Sequence, residues 1–322
     1  MNFLLCKVIK PFYKLTCKII YLLLPFKSKI FVFFRIQSRI INQLTKLRLA
    51  AHLRDDHTNL IHKILNNNKL TALDVGAQGG FNGNLFSKKY NIFFTPVLVE
   101  PIPEESKKLS EQNYKVITKG LWSSDCKKKL YFMEKRPGSS SVFKPNKNIF
   151  SLYGFKKNNF KLFEVSKTID IECTTIDSSL NNLNLRKLDF LKIDTQGAEL
   201  EVLKGLGKYF PLLMKLEVQI VPMYEEVPHW GELVNYINNL NYMTCEWSEI
   251  GNHTTHSPAE MDMMFIPNYL SDFGKKLILS RENEFISLML IFGQIELLKI
   301  ISEKLNFSIN SEIQKLKDKF FH

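Results

Sequence analysis

Short apolar runs punctuate the chain at intervals, and each ends in a polar or glycine-containing turn. Leu70–Val75, Val97–Glu100, Tyr114–Thr118, Leu188–Ile193 and Leu213–Val218 have the length and the β-branched content of buried strands. Between or after them, Pro103–Gln112, Ala198–Leu206 and Glu232–Leu240 carry helical spacing. A polar-faced helix over 51–69 closes on the turn Asn66–Asn68. Strands alternating with helices predict a mostly parallel sheet covered on both faces, an α/β fold. The stretch from about 120 to 180 breaks that rhythm. Leu130–Met133 and Thr168–Thr174 read as strands and Gly138–Ser141 as a loop, so the segment is a partly antiparallel insertion between the third and fourth parallel strands. Residues 271–322 return to helical spacing, and Phe285–Ile295 holds no charged residue, which predicts a buried helix. The division that follows is 1–52 as an N-terminal extension, 53–270 as the α/β domain and 271–322 as a C-terminal helical extension.

The first fifty residues have a different pattern. Phe3, Leu4, Leu5, Val8, Ile9, Phe12, Leu15, Ile19, Ile20 and Leu22–Leu24 recur between lysines, and Lys7, Lys10, Lys14 and Lys18 share one helical face. Pro11 and Pro25 break or kink that helix. The longest charge-free run among these lysines is Ile19–Phe26, well short of the roughly 20 apolar residues of a spanning helix. No small-residue cleavage site follows promptly, which argues against a secretory signal. The pattern is that of a basic amphipathic helix on an anionic membrane surface, with docking on the protein's own core as the alternative.

Charge sharpens this division. Lys plus Arg number 44 against 32 Asp plus Glu, a net of +12. Ten of the basic residues and none of the acidic ones lie in residues 1–50, so residues 51–322 hold 34 against 32, a net of +2. A nucleic-acid footprint should lie on the folded binding surface, and the near-neutral body argues against that partner. Hydrophobic residues at 45% and charged residues at 24% exclude a disordered chain and a polytopic membrane protein. Cys6, Cys17, Cys126, Cys173 and Cys245 are dispersed without a Cys-x-x-Cys pair, as expected of small buried side chains in a reducing, cytoplasmic setting.

Candidate chemistry starts at Leu73–Gly80, LDVGAQGG. Glycines at a strand end let backbone approach a ligand and tolerate positive φ. In open parallel sheets ligands bind at the carboxyl ends of the strands, and an acid closing the second strand holds ribose hydroxyls. Glu100 stands there, so the pair of signals is consistent with an adenosine-containing ligand. A dinucleotide fingerprint fails, because Gln78 and Phe81 occupy positions where G-x-G-x-x-G requires glycine. Asp74 also suits the cationic end of S-adenosylmethionine better than a pyrophosphate.

These residues resemble the FkbM family of S-adenosylmethionine-dependent methyltransferases. Leu73–Gly80 is similar to the family's D-V-G-A-N-x-G loop, with Gln78 in place of Asn, and Val99-Glu100-Pro101 to its second strand end. Gly120-Leu121-Trp122-Ser123, Thr174-Thr175-Ile176-Asp177, Leu188–Glu199, Leu216–Gln219 and Pro222-Met223-Tyr224 resemble later blocks in the same order. The resemblance covers roughly 65–267. It implies a Rossmann-like class I methyltransferase fold, S-adenosylmethionine as cofactor, and most often O-methylation of a glycan or small molecule. By the resemblance Asp74, Gly76, Ala77, Gln78 and Gly80 line the methionine part, Glu100 holds the ribose, and Leu121 or Trp122 touches the adenine.

A hydroxyl acceptor must lose a proton. Asp194 at the end of the fourth strand and Glu217 at the end of the fifth are the carboxylates for acceptor positioning or proton removal, with His229 in the loop Val221–Trp230 as a further base or a solvated loop residue. Glu199 is either a helix-start anion or a catalytic one. Asp194 and Glu217 also offer two metal ligands, but a metal-free acid–base pair accounts for them, and no metal site is assigned. His253 and His256 lack a third ligand for zinc. The expected enzyme is an O-methyltransferase for a sugar hydroxyl on a glycan or lipid-linked glycan, cytoplasmic and peripheral at the inner membrane face, with a homo-oligomer through the C-terminal helices as a further expectation. The alternatives are a non-catalytic protein that keeps the cofactor fold and a nicotinamide-dependent sugar oxidoreductase. Deleting residues 1–48 should release the protein from anionic liposomes in a flotation assay; unchanged binding would remove the membrane role.

Overall fold

The computed structural model describes residues 56–81, 85–150, 157–250 and 259–316. The amphipathic arm and the His253/His256 pair lie outside the described residues.

The first helix, α1 (Thr58–Leu65), buries Ile61, Ile64 and Leu65, and ends where Asn66 and Asn67 turn left-handed. Then come β1 (Leu70–Val75), β2 (Phe94–Val99), α2 (Pro103–Glu111) and β3 (Lys115–Ile117). Pro103 opens α2 with its missing N–H at a position that needs none, and Glu104 and Glu105 suit the positive helix end. The insertion supplies β4 (Gly120–Leu121), β5 (Cys126–Phe132) and β6 (Lys167–Thr174). After it follow α3 (Ile176–Asn182), β7 (Phe190–Ile193), α4 (Glu199–Lys204), β8 (Leu213–Gln219), α5 (Trp230–Asn239), β9 (Tyr242–Ile250) and β10 (Glu260–Pro267). Four helices close the described chain: α6 (Asp272–Ser280), α7 (Glu282–Ile291), α8 (Ile295–Leu305) and α9 (Asn310–Ile313).

Seven strands form one sheet in the order β3-β2-β1-β7-β8-β10-β9. β10 runs antiparallel to β8 and β9, and the other pairings are parallel. This is the Rossmann-like methyltransferase arrangement that the family blocks imply. The strand order reverses direction at β1 and β7, and a ligand crevice opens outside the carboxyl ends at such a switch point. The insertion forms its own small sheet, β4-β6-β5, with β5 antiparallel to β6.

Alternation along the strands sorts the core. Leu73, Val75, Leu191, Ile193, Met214 and Leu216 face α3, α4 and α5. Leu70, Ala72, Phe190 and Leu213 face a second cluster supplied by α1, α2, α6, α7 and α8. In α7 every residue from Phe285 to Ile291 is buried, which explains the charge-free run. The helices beyond β10 thus complete one face of the sheet. Arg281, between α6 and α7, donates to Leu188 O at 2.6 Å, Phe210 O at 2.5 Å and Asp189 Oδ1 at 3.2 Å. Asp189 is fully buried at the start of β7 and also accepts from Thr71 N, so it depends on that cation.

β1 and β7 converge at their carboxyl ends. Gly76 has φ +80°, and a Cβ placed on it would lie 2.0 Å from the carbonyl oxygen of Asp194. Gly76→Ala should therefore lower the unfolding free energy by roughly 2–5 kcal/mol, the sum of left-handed strain and overpacking. Urea denaturation reads it directly, and a change under about 1 kcal/mol would contradict this packing.

Candidate active site

A cleft opens over the carboxyl ends of β1, β2 and β7, between them and the insertion, with about 740 Å³ of space that includes its solvent-filled mouth. Gly76, Gln78, Glu100, Leu121, Trp122 and Asp194 line it, as expected for a ligand spanning the first, second and fourth parallel strands. One end is apolar: Ile102, Leu121, Leu130, Ile171 and Cys173 form a slot closed by Trp122. Lys128 Nζ sits 4.1 Å from the Trp122 ring centroid, which fixes the indole. Burial pushes the Cys173 thiol up to about 11, so it packs as an apolar neighbour.

Glu100 follows β2 with 4% of its surface exposed. Its Oε1 accepts from the Ile102 amide at 2.9 Å. Burial outweighs that hydrogen bond and raises its pKa from the usual 4.5 to about 7.

Beyond Asp194 the chain folds tightly back on itself. Glu199, fully buried, accepts through Oε1 from Thr195 N at 2.9 Å, Thr195 Oγ1 at 3.1 Å and Gly197 N at 3.1 Å. Of its two expected roles it has the structural one, organising the turn before α4. That turn puts Gln196 at φ +58° with its amide inward. Nε2 donates to Asp194 Oδ1 at 3.1 Å and to Glu217 Oε1 at 2.7 Å, while Oε1 lies 2.8 Å from the Tyr224 hydroxyl. The amide must point this way, because its oxygen against two carboxylates would be repulsive. Asp194 and Glu217 are therefore joined through a neutral bridge. Burial first and Asp194 second hold the Glu217 carboxyl well above the usual range.

The loop Gly138–Ser141 is tied to the same group. Ser141 Oγ donates to Gln196 O at 2.7 Å, and Ser139 O lies 2.7 Å from the Tyr224 hydroxyl. Having one proton, Tyr224 donates to Ser139 O or Gln196 Oε1 at a given moment. The sequence alone offers Tyr224 as a loop aromatic able to stack on a sugar ring and does not mark Gln196 as a site residue. Both stood within quoted blocks, but their contact joins positions 28 apart.

Five expected ligand or catalytic residues, Asp74, Ala77, Gly80, Glu217 and His229, lie outside the cleft lining, and Glu217 is joined to it through Gln196. Asp74 alternates with Leu73 and Val75, so it projects to the opposite face of the sheet. There its Oδ1 accepts from Lys192 Nζ at 3.0 Å, and Lys192 also lies 3.6 Å from Asp194. Asp74 is thus the buried partner of a lysine, and it acts on Asp194 through that lysine. Ala77 is packed in the core and Gly80 faces Tyr114 and Gln112. His229 is exposed and caps α5, its Nδ1 accepting from Gly231 N at 3.2 Å. Among the described residues the glycine loop leads to a 3-10 turn, Lys88–Phe93. No three His, Cys, Asp or Glu side chains converge as metal ligands among the described residues.

The family model described as the methyltransferase FkbM domain matches residues 17–243, which is 227 of the 322 residues. The match begins inside the basic arm, ahead of the blocks that carry the resemblance. No curated protein matches the chain. Among the described residues no helix is long and apolar enough to cross a membrane.

Glu100 gives a stability test that needs no ligand. Its folded value of about 7 lies above the unfolded 4.5, so the ionised carboxylate opposes folding, and stability falls as pH rises across that window. Glu100→Gln should stabilise the protein by about 2–3 kcal/mol at pH 8 and leave it nearly unchanged at pH 4.5. Chemical denaturation at the two pH values checks this; equal effects would contradict the burial penalty.

Proposed function

Because the chain belongs to the FkbM methyltransferase family, we propose that it uses S-adenosylmethionine to methylate a sugar hydroxyl on a glycan or lipid-linked glycan. The arrangement of the cleft supports the cofactor. The apolar slot suits a flat base, Glu100 suits a ribose diol, and Asp194 offers an anion to a cationic amino-acid end. Gly76 and Gln78 border the space between. When bound, the cofactor supplies an electrophilic methyl group on a sulfonium.

The chain's own residues account for the rest. Glu100 accepts hydroxyl hydrogen bonds best as a carboxylate, so cofactor binding draws its proton off near pH 7. Trp122, Leu130 and Val142 exclude water from that end of the cleft. At the other end Gln196 holds Asp194 and Glu217 in fixed relation, and the pair provides an acceptor for the hydroxyl proton. Lys192, held at high pKa by Asp74 and Asp194 against its burial, keeps a permanent positive charge beside Asp194. Glu217, whose carboxyl is raised by burial, is the partner able to retain a proton near neutrality.

The observation that carries this reading is the Asp194–Gln196–Glu217 group beside the cleft that Glu100 closes. Incubation with isotopically labelled cofactor and an extract of cell-envelope glycans, followed by mass spectrometry, should reveal a methylated sugar. Asp194→Asn, assayed at saturating cofactor, should lower that incorporation by about a hundredfold or more, the usual weight of a proton acceptor. Label on protein or nucleic acid instead, or equal incorporation by the variant, would contradict the assignment.

A further inference from the structure

Two thiols meet at the base of the insertion. β5 and β6 run antiparallel, and the residue opposite Cys126 in their register is Cys173. Directly opposed residues of such a pair carry their side chains on one face of the sheet, with Cα atoms about 4.5 or 5.5 Å apart. Both separations fall within the roughly 4.4–6.8 Å that a disulfide spans. Both cysteines are free thiols; Cys173 is buried and Cys126 half-buried. Burial first and the neighbouring Cys126 thiol second, through charge and a hydrogen bond, hold the Cys173 pKa at about 11. The two sulfurs are therefore in contact. Cys173 lines the apolar slot of the cleft, and Cys126 packs behind that slot beside Ile102, Leu130 and Ile171.

The position of the Cys173 sulfur gives the pair its consequence. On the other side of β6, Cys173 is paired with Gly120 of β4. A Cβ placed on Gly120 would stand 3.0 Å from the Cys173 sulfur. The reduced sulfur thus fills the space that a side chain at Gly120 would take, and it forms part of the slot wall. An S–S bond of about 2.0 Å is far shorter than a contact between free thiols. Closing it draws the Cys173 sulfur off Gly120 toward β5 and takes one atom from that wall. Leu130 and Ile171, which also line the slot, ride on the same two strands, so the cross-link fixes their spacing as well.

We propose that Cys126 and Cys173 are a reversible dithiol–disulfide pair, oxidised by a low-molecular-weight disulfide, and that closing the bond weakens cofactor binding in the adjoining slot. The coupling rests on the proposed S-adenosylmethionine site; the thiol pair does not. Cys126, the more accessible thiol, attacks one sulfur of the external disulfide as its thiolate. The external S–S bond breaks, a mixed disulfide forms and one small thiolate leaves. Cys173 then loses its proton to solvent and attacks the Cys126 sulfur. The Cys126–Cys173 bond forms and the second small thiolate leaves. Two protein thiols are oxidised, and one external disulfide is reduced to two thiols that take up the two protons. Because Cys173 is seldom ionised, this second step is the slow one. In a reducing compartment the pair rests as the dithiol.

The test uses the full chain, incubated with glutathione disulfide and then digested without reductant. Mass spectrometry should find the Cys126 and Cys173 peptides joined, two hydrogens lighter than the separate pair, and parted again by dithiothreitol. Calorimetry with S-adenosylhomocysteine should show affinity about fourfold weaker in the oxidised protein, the weight of one lost methylene-sized contact, and restored on reduction. Cys126→Ser should bind S-adenosylhomocysteine as tightly as the reduced parent, before and after the same treatment. Thiols at 126 and 173 that stay unjoined, or a bond from either to another cysteine, would overturn the pair. Joined peptides with unchanged affinity would overturn its control of the slot. If neither redox form binds S-adenosylhomocysteine, the cofactor reading falls and the coupling with it, while joined peptides leave the thiol pair standing.

Discussion

Everything at the site depends on how closely the ends of β1 and β7 approach. Gly76 lies where any side chain would enter the Asp194 carbonyl, at 2.0 Å. The approach is held on one face by the ion pair of Asp74 with Lys192, which are direct partners in the β1–β7 register. Two features follow from that single contact. The glycine loop is brought beside the acid of the fourth parallel strand, so one ligand touches both. Asp194 is also set beside Lys192 and Gln196, its two polar neighbours.

From this junction the site divides by chemistry. Toward β2 it is apolar and ends in a single buried carboxylate, Glu100, whose ionisation the protein itself resists. Toward β8 it is polar, with Gln196 as the neutral link between two acids. Such a network is stable only when each member is satisfied. Here the insertion and the post-β8 loop complete it through Ser141, Ser139 and Tyr224. The insertion that interrupts the strand–helix rhythm is therefore what closes this end of the cleft.

Much of this was legible in the residues. Apolar runs located the five parallel strands β1, β2, β3, β7 and β8 because both faces of those strands are buried, which leaves short continuous hydrophobic stretches. β9 and β10 escaped notice for the opposite reason. In β10, Glu260 and Asp262 alternate with Met261 and Met263, which pack in the core, so its first half reads as a polar–apolar alternation rather than an apolar run. The two central acids were legible as strand-end carboxylates. Asp74 reads the same from sequence whether it faces the loop or the sheet, and only the register of Leu73 and Val75 against the core decides. His229 looked catalytic as a loop histidine beside an aromatic, but its position one residue before a helix makes it a cap. The bridge from Gln196 to Tyr224 joins distant positions that no local pattern connects.

The central claim is that one cleft, set by the Gly76–Asp194 contact, receives the methyl donor between Glu100 and Asp194. A crystal structure of the full chain with S-adenosylhomocysteine tests it most directly. The account predicts the ribose hydroxyls on Glu100, the adenine among Ile102, Leu121 and Ile171, and the amino-acid end toward Asp194 and Gln78. Density for the ligand anywhere else, with the space between Glu100 and Asp194 left empty, would contradict it.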